Sequence, residues 1–102
     1  MRFGPWYPLD EAGDRAPGGP NVLQLRLAHG LHDYPRGKSA MVRYLYADDA
    51  QAAARDLAAE LAGRDLVCRH LIELDGTDLP AFYRKLRDDF ERRFGAVPVL
   101  EP

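Results

Sequence analysis

The feature that most constrains this fold is a change of period with no slack in it. From Ala40 to Tyr46 residues alternate in the two-residue repeat of a strand, and directly afterwards an alanine-rich run begins with the 3.6-residue repeat of a helix. Only Ala47, Asp48 and Asp49 lie between. Asp48 or Asp49 supplies an N-cap, and Asp48 with Gln51 has the spacing of a capping box. The helix is expected through Leu61, stopping at Gly63, which suits a left-handed C-cap. Its small residues (Ala50, Ala53, Ala54, Ala58) allow close approach to a sheet, with Leu57 and Leu61 as larger anchors.

Two more strands follow from the same period. Val22–Ala28 sets Leu23, Leu25 and Leu27 on one face and Val22, Gln24 and Arg26 on the other. Leu66–Leu74 is apolar on both faces and reads as central. In Ala40–Tyr46 the alternation groups Ala40, Val42, Tyr44 and Tyr46 against Met41, Arg43 and Leu45. His29–Lys38, with Gly30, Pro35 and Gly37, is a connection too long for a tight hairpin turn, and the strands on either side are expected to pair antiparallel. Asp75-Gly76 turns the chain, and Thr77 or Asp78 caps a second helix. That helix carries Leu79, Phe82, Tyr83, Leu86, Phe90 and Phe94 on one stripe and ends at Gly95. Its outer face is a lattice of opposite charges four residues apart, including Lys85 with Asp89 and Asp89 with Arg93.

The expected fold is therefore α+β: a three-stranded, mainly antiparallel sheet packed with two main helices, in the order β-β-α-β-α. With 102 residues, 46% of them hydrophobic, the chain suits one domain spanning residues 1–102. Residues 1–20 form a lead-in rich in proline and glycine, in which neither a helix nor a central strand should run. Phe3, Trp6, Tyr7 and Leu9 give it enough apolar bulk to dock on the body.

Composition excludes some chemistry. A formal net charge of −2 argues against holding nucleic acid by bulk charge. The single cysteine, Cys68, excludes an internal disulfide and agrees with a reducing compartment. No stretch approaches a membrane span, and no basic segment followed by an apolar run opens the chain, so a cytoplasmic protein is expected. Gly37-Lys38-Ser39 has the letters that end a phosphate loop, but such a loop needs a glycine where His32 stands and a helix where a strand follows. Ser39, the only serine, has no histidine placed beside it by sequence. His29, His32, Asp33, Cys68 and His70 could supply soft-metal ligands, but in no recognised spacing, and no metal site is assigned.

Arginines on the less apolar strand faces are more informative. Arg26, Arg43 and Arg69, with Arg36 and Lys38 in the nearby connection and Tyr44 between them, would form a cationic patch if those faces coincide. The competing reading lays the arginines over the sheet and pairs them with Gln24 or Glu73.

The order of elements, with Gly19-Pro20-Asn21-Val22-Leu23 opening the first strand, Met41-Val42-Arg43-Tyr44-Leu45-Tyr46-Ala47-Asp48 in the second, and Phe94-Gly95-Ala96-Val97-Pro98-Val99-Leu100-Glu101 closing the chain, resembles the GIY-YIG nuclease domain. That resemblance covers roughly residues 19–101. It implies a fold whose members cut nucleic-acid phosphodiesters using one divalent metal on a helix glutamate, tyrosines from both motifs and an arginine on the first helix. Tyr44 matches the tyrosine of the second motif. Tyr46 stands in place of its glycine, Leu23 in place of the first motif's tyrosine, and Glu101 in place of the closing asparagine. Arg55 is one position from the expected arginine, a rotation of about 100°. The stripe that should carry the metal-binding glutamate offers Phe82, Tyr83 and Leu86, while Asp88, Asp89 and Glu91 lie on flanking faces.

The expectation is a non-catalytic GIY-YIG-like binding module with a protein partner, no cofactor and no membrane association. The alternatives are a divergent nuclease using Tyr44, Arg55 and His70 with Mg²⁺ or Mn²⁺, and nucleic-acid binding without cleavage.

Overall fold

A computed structural model describes residues 1–100; Glu101, the position compared with the nuclease asparagine, lies outside the described residues. The fold is α+β. Its main sheet is built on β3 (Asn21–Leu27), which pairs antiparallel with β6 (Met41–Ala47) on one side and with β7 (Leu66–Glu73) on the other. The sheet has five strands rather than three, because the lead-in contributes two. β1 (Arg2–Phe3) and β2 (Tyr7–Pro8) both pair antiparallel with the outer edge of β7.

The lead-in thus docks, and it is more ordered than its prolines suggest. Between Pro8 and Pro17 a 3-10 turn (Leu9–Glu11) runs into a one-turn helix, α1 (Ala12–Arg15), correcting the expectation that no helix could form there. Proline forbids a helix through itself, but leaves room for a turn between two prolines. Tyr7, Leu9, Ala12 and Ala16 are all buried.

Helices cover both faces of the sheet. α2 (Ala50–Glu60) joins α1 over Leu23, Leu25, Leu66 and Cys68, forming the larger core. α3 (Leu79–Phe94) lies over the opposite face, where Leu79, Phe82, Tyr83 and Leu86 pack with Val22, Leu71, Tyr46 and Phe3. Each fully buried aliphatic side chain, such as Leu23 or Leu25, contributes roughly 1.5–3 kcal/mol by leaving water.

The caps settle what the sequence left open. Asp49 accepts from Ala52 N–H at 3.1 Å and caps α2, whereas Asp48 takes the Tyr46 hydroxyl at 2.7 Å. The capping box does not form, because Gln51 donates to the Gly13 carbonyl at 3.1 Å instead. α2 ends at Glu60, before Gly63 takes up its left-handed turn at φ 85°. Asp78 rather than Thr77 caps α3, accepting from Ala81 N–H. Of the outer charge lattice, Lys85 reaches Asp89 at 2.9 Å; the second cation on Asp89 is Arg92 at 2.8 Å, not Arg93.

Two local features correct the alternation pattern. A bulge in β6 sets both Val42 and Arg43 against Leu25, since Leu25 pairs with Arg43 and Arg26 with Met41. Val42 therefore enters the α2-side core while Tyr44 and Tyr46 face α3, although simple alternation groups the three together. The 29–38 connection contains its own ribbon, β4 (His32–Tyr34) with β5 (Gly37–Ser39), too short to show a period. Its Tyr34 packs edge-on to Phe90 at 5.0 Å and donates to the Met41 carbonyl at 2.5 Å.

At the end of β3, a side chain replaces backbone pairing. Beyond the Leu23–His70 pair, Asn21 accepts from Leu71 N–H at 2.9 Å and donates to the Leu71 carbonyl at 3.0 Å. Both residues are buried. Replacing Asn21→Ala would strand both backbone groups, and is expected to lower unfolding free energy by about 3 kcal/mol in urea titrations.

Gly95 ends α3 at φ 85° and redirects residues 96–100 around the β6 edge, so that Val99 N–H donates to the Tyr34 hydroxyl and Leu100 reaches the α2-side core. A Cβ at Gly95 would stand 3.0 Å from that of Pro35. Gly95→Ala is expected to cost about 1–2 kcal/mol in the same titration.

Candidate functional site

The α3-side face of the sheet carries polar groups in a row. Gln24 and Arg69 stand opposite each other on β3 and β7, and Gln24 stands opposite Tyr44 on β6. Gln24 is buried, yet its Oε1 accepts from Arg69 Nε at 2.7 Å. That bond fixes the Arg69 side chain across the sheet. Trp6 then arrives from the lead-in, between the two short strands that clip it to β7. The Arg69 Cζ lies 4.4 Å from the centre of the Trp6 ring and 4.6 Å from that of Phe3, and the Arg26 Cζ lies 4.2 Å from Trp6. A guanidinium over an aromatic face is attracted by the ring quadrupole, about 0.5–2 kcal/mol depending on exposure.

This arrangement gathers positive charge without neutralising it. Among the described residues, no carboxylate lies within ion-pair distance of Arg26 or Arg69, whereas Arg2, Arg15 and Lys38 are each paired with an acid. Burial and the neighbouring Arg26 press the Arg69 guanidinium below its ordinary pKa. Tyr44, half-buried against Phe90 at 5.7 Å, is pushed up by burial and remains a neutral phenol at physiological pH.

A second feature opens on the far side of Tyr44. Arg43, Tyr44, Tyr83, Arg87, Val97 and Pro98 line a cleft of about 150 Å³ between β6, α3 and the closing segment. A larger hollow of about 320 Å³ lies across the molecule, between Leu9, Leu61 and Leu66, with Asp10, Arg64 and Asp65 also on its wall.

The residues singled out from sequence divide accordingly. Arg26, Arg69 and Tyr44 share one face, and Arg43 lies beyond Tyr44. Arg36 and Lys38 do not join them. Arg36 donates to the Glu91 and Arg92 carbonyls at the C-terminus of α3, and Lys38 pairs with Asp33 at 3.6 Å. The expected pairing of Arg69 with Gln24 is present together with the cationic patch. The nuclease set is separated: Tyr44 faces α3, His70 faces the α2-side core opposite Leu23, and Arg55 lies across Gly13 on the outside of the helical layer.

The soft-metal candidates are also dispersed. His29 meets Asp65 at 3.6 Å, His32 packs on Tyr34, and Cys68 is buried, its thiol pushed up to about 11 by burial. Among the described residues, no three His, Cys, Asp or Glu side chains are grouped to hold a metal ion. Ser39 accepts from Met41 N–H at 3.1 Å in the turn after β5. No helix is long and apolar enough to cross a membrane.

The chain matches no family model, no curated protein and no solved structure. Its site must be understood from its own geometry. Sequence patterning brought Arg26 and Arg69 to one face, but gave no sign that Trp6 would lie over them, because Trp6 belongs to a segment without a period. It also missed Tyr83 and Arg87, which helical spacing assigns to the packed stripe and to the charged surface.

On the opposite face the Tyr7 hydroxyl, raised in pKa by burial, shares a hydrogen bond with His70 Nδ1 at 2.7 Å. Burial lowers the His70 pKa. Below the ordinary imidazole value of about 6.5, the unfolded chain binds a proton that the folded chain resists. The stability associated with neutral His70 is therefore complete above that value and declines as pH falls below it. The urea midpoint is expected to drop between pH 7 and 5.5, and the drop should be smaller in His70→Gln.

Proposed function

We propose that this chain is a non-catalytic binding module of GIY-YIG-like type, and that it docks an acidic surface of a partner protein through the face bearing Trp6, Arg26, Arg69 and Tyr44. The observation that carries this reading is the pair of arginines held over Trp6 with no acidic partner of their own. Two guanidiniums with a half-buried indole form a surface suited to carboxylates, and Trp and Arg are the residue types that most often dominate binding energy at protein interfaces. Supporting the family likeness is the succession β3, β6, α2, β7, α3, with Tyr44 on the second of these strands. Supporting the absence of cutting, Tyr44 packs on the Phe90 ring, and the residues a nuclease would need lie on opposite faces of the sheet.

Trp6 is the only tryptophan, so its fluorescence reports on this face directly. Titration with Asp- and Glu-rich peptides is expected to change its emission saturably, and Arg26→Ala with Arg69→Ala should weaken that response about tenfold or more. A response to oligonucleotides alone, falling steeply with salt, would transfer the face to nucleic-acid binding. Magnesium- or manganese-dependent cleavage of DNA or RNA, lost in Tyr44→Phe, would overturn the non-catalytic reading.

A further inference from the structure

The cleft beside β6 has a chemistry of its own. Two arginines line it from different elements, Arg43 of β6 and Arg87 of α3, together with Tyr44 and Tyr83. Val97 and Pro98 close the remaining side. Among the described residues neither arginine has a carboxylate within ion-pair distance. Glu91, one turn further along α3, offers its backbone carbonyl to Arg36 and no ion pair to Arg87. Asp89 is occupied by Lys85 and Arg92 on another side of the helix.

Two arginines on the wall of so small a cleft favour an anion there, and the tyrosines beside them suit an oxyanion. Guanidiniums bind oxyanions in two-pronged fashion, and a tyrosine hydroxyl can donate one hydrogen bond. The charge selects among oxyanions. A carboxylate would leave one guanidinium uncompensated, whereas a phosphate monoester carries about −1.5 to −2 near neutral pH and matches both. A cleft of about 150 Å³ has room for a group of that size. We infer that this cleft is a binding site for a phosphate monoester, gripped by Arg43 and Arg87 and contacted by Tyr44 and Tyr83.

Binding here needs no macromolecular partner, and variants at Arg43 and Arg87 leave Trp6, Arg26 and Arg69 unaltered.

The test is calorimetric titration of the whole chain with inorganic phosphate, with a phosphoserine peptide and with the same peptide unphosphorylated. Saturable binding of phosphate or of the phosphopeptide, with none of the unphosphorylated peptide, is the expected result. Tighter binding of the phosphopeptide would identify a modified protein as the source, and equal binding would identify free phosphate. Arg43→Ala and Arg87→Ala should each weaken binding about tenfold or more, and Arg43→Lys and Arg87→Lys should recover only part of it, while Lys85→Ala on the far side of α3 leaves it unchanged. Thermal melts of each variant establish that it is folded. No saturation up to about 10 mM phosphate, or unchanged binding in the folded Arg43→Ala/Arg87→Ala double variant, would overturn the site.

Discussion

The position of everything on the α3-side face depends on how β7 is held against β3, and at its end that hold is a single amide. Where the two strands diverge after Leu23 and His70, the Asn21 side chain supplies the donor and acceptor that backbone would otherwise provide to Leu71. Register in a sheet with different faces admits no slippage, since one residue of shift would send Arg69 into the α2-side core and Cys68 outward. β7 in turn is the template for β1 and β2, whose pairing with it brings Trp6 over Arg69. The arginine–indole cluster is thus the last member of a chain of dependence that begins at a buried asparagine.

Much of this architecture was legible as period. The alternation in β3 and β7, the aspartates ahead of both main helices and the glycines after them located three strands and two helices to within a few residues, because each signal is local. What was not legible depended on partners distant in sequence. β1 and β2 are two residues each, and exist only because β7 has an unpaired edge for them. Asn21 reads as a turn residue before a strand, and its role appears only once Leu71, fifty residues away, is known to lie beside it. The bulge leaves no mark in the alternation itself, which is why Val42 groups with Tyr44 on paper and against it in the molecule.

The site divides along the same line. Two strand arginines on equivalent faces can be predicted to meet, and Arg26 and Arg69 do. The fates of Arg36 and Lys38 could not be read in this way. Arg36 is drawn to the C-terminal carbonyls of α3, where a cation is favoured by the helix dipole and by unpaired acceptors, and Lys38 to the acid across its own ribbon. A charge count along the sequence treats all of these residues alike, although some are already engaged and others are not.

The two faces of the sheet also differ in how they treat polar groups, and this difference argues for where function resides. On the α2 side, polarity is self-contained: Tyr7 and His70 share a hydrogen bond, and Cys68 is held protonated by burial. On the α3 side, Arg26 and Arg69 rest on aromatic rings and Arg69 on Gln24, and among the described residues neither these two nor Arg43 and Arg87 at the cleft has an acid within ion-pair distance. Among the described residues every buried side-chain nitrogen and oxygen has a hydrogen-bond partner, so the unpaired charge is not a defect of packing. Positioning cations on aromatic rings without acids beside them raises local repulsion, a cost that an anionic ligand would relieve. Among the described residues the interior polar groups are satisfied while these arginines have no acid beside them, and that imbalance is the physical ground for proposing an acidic partner.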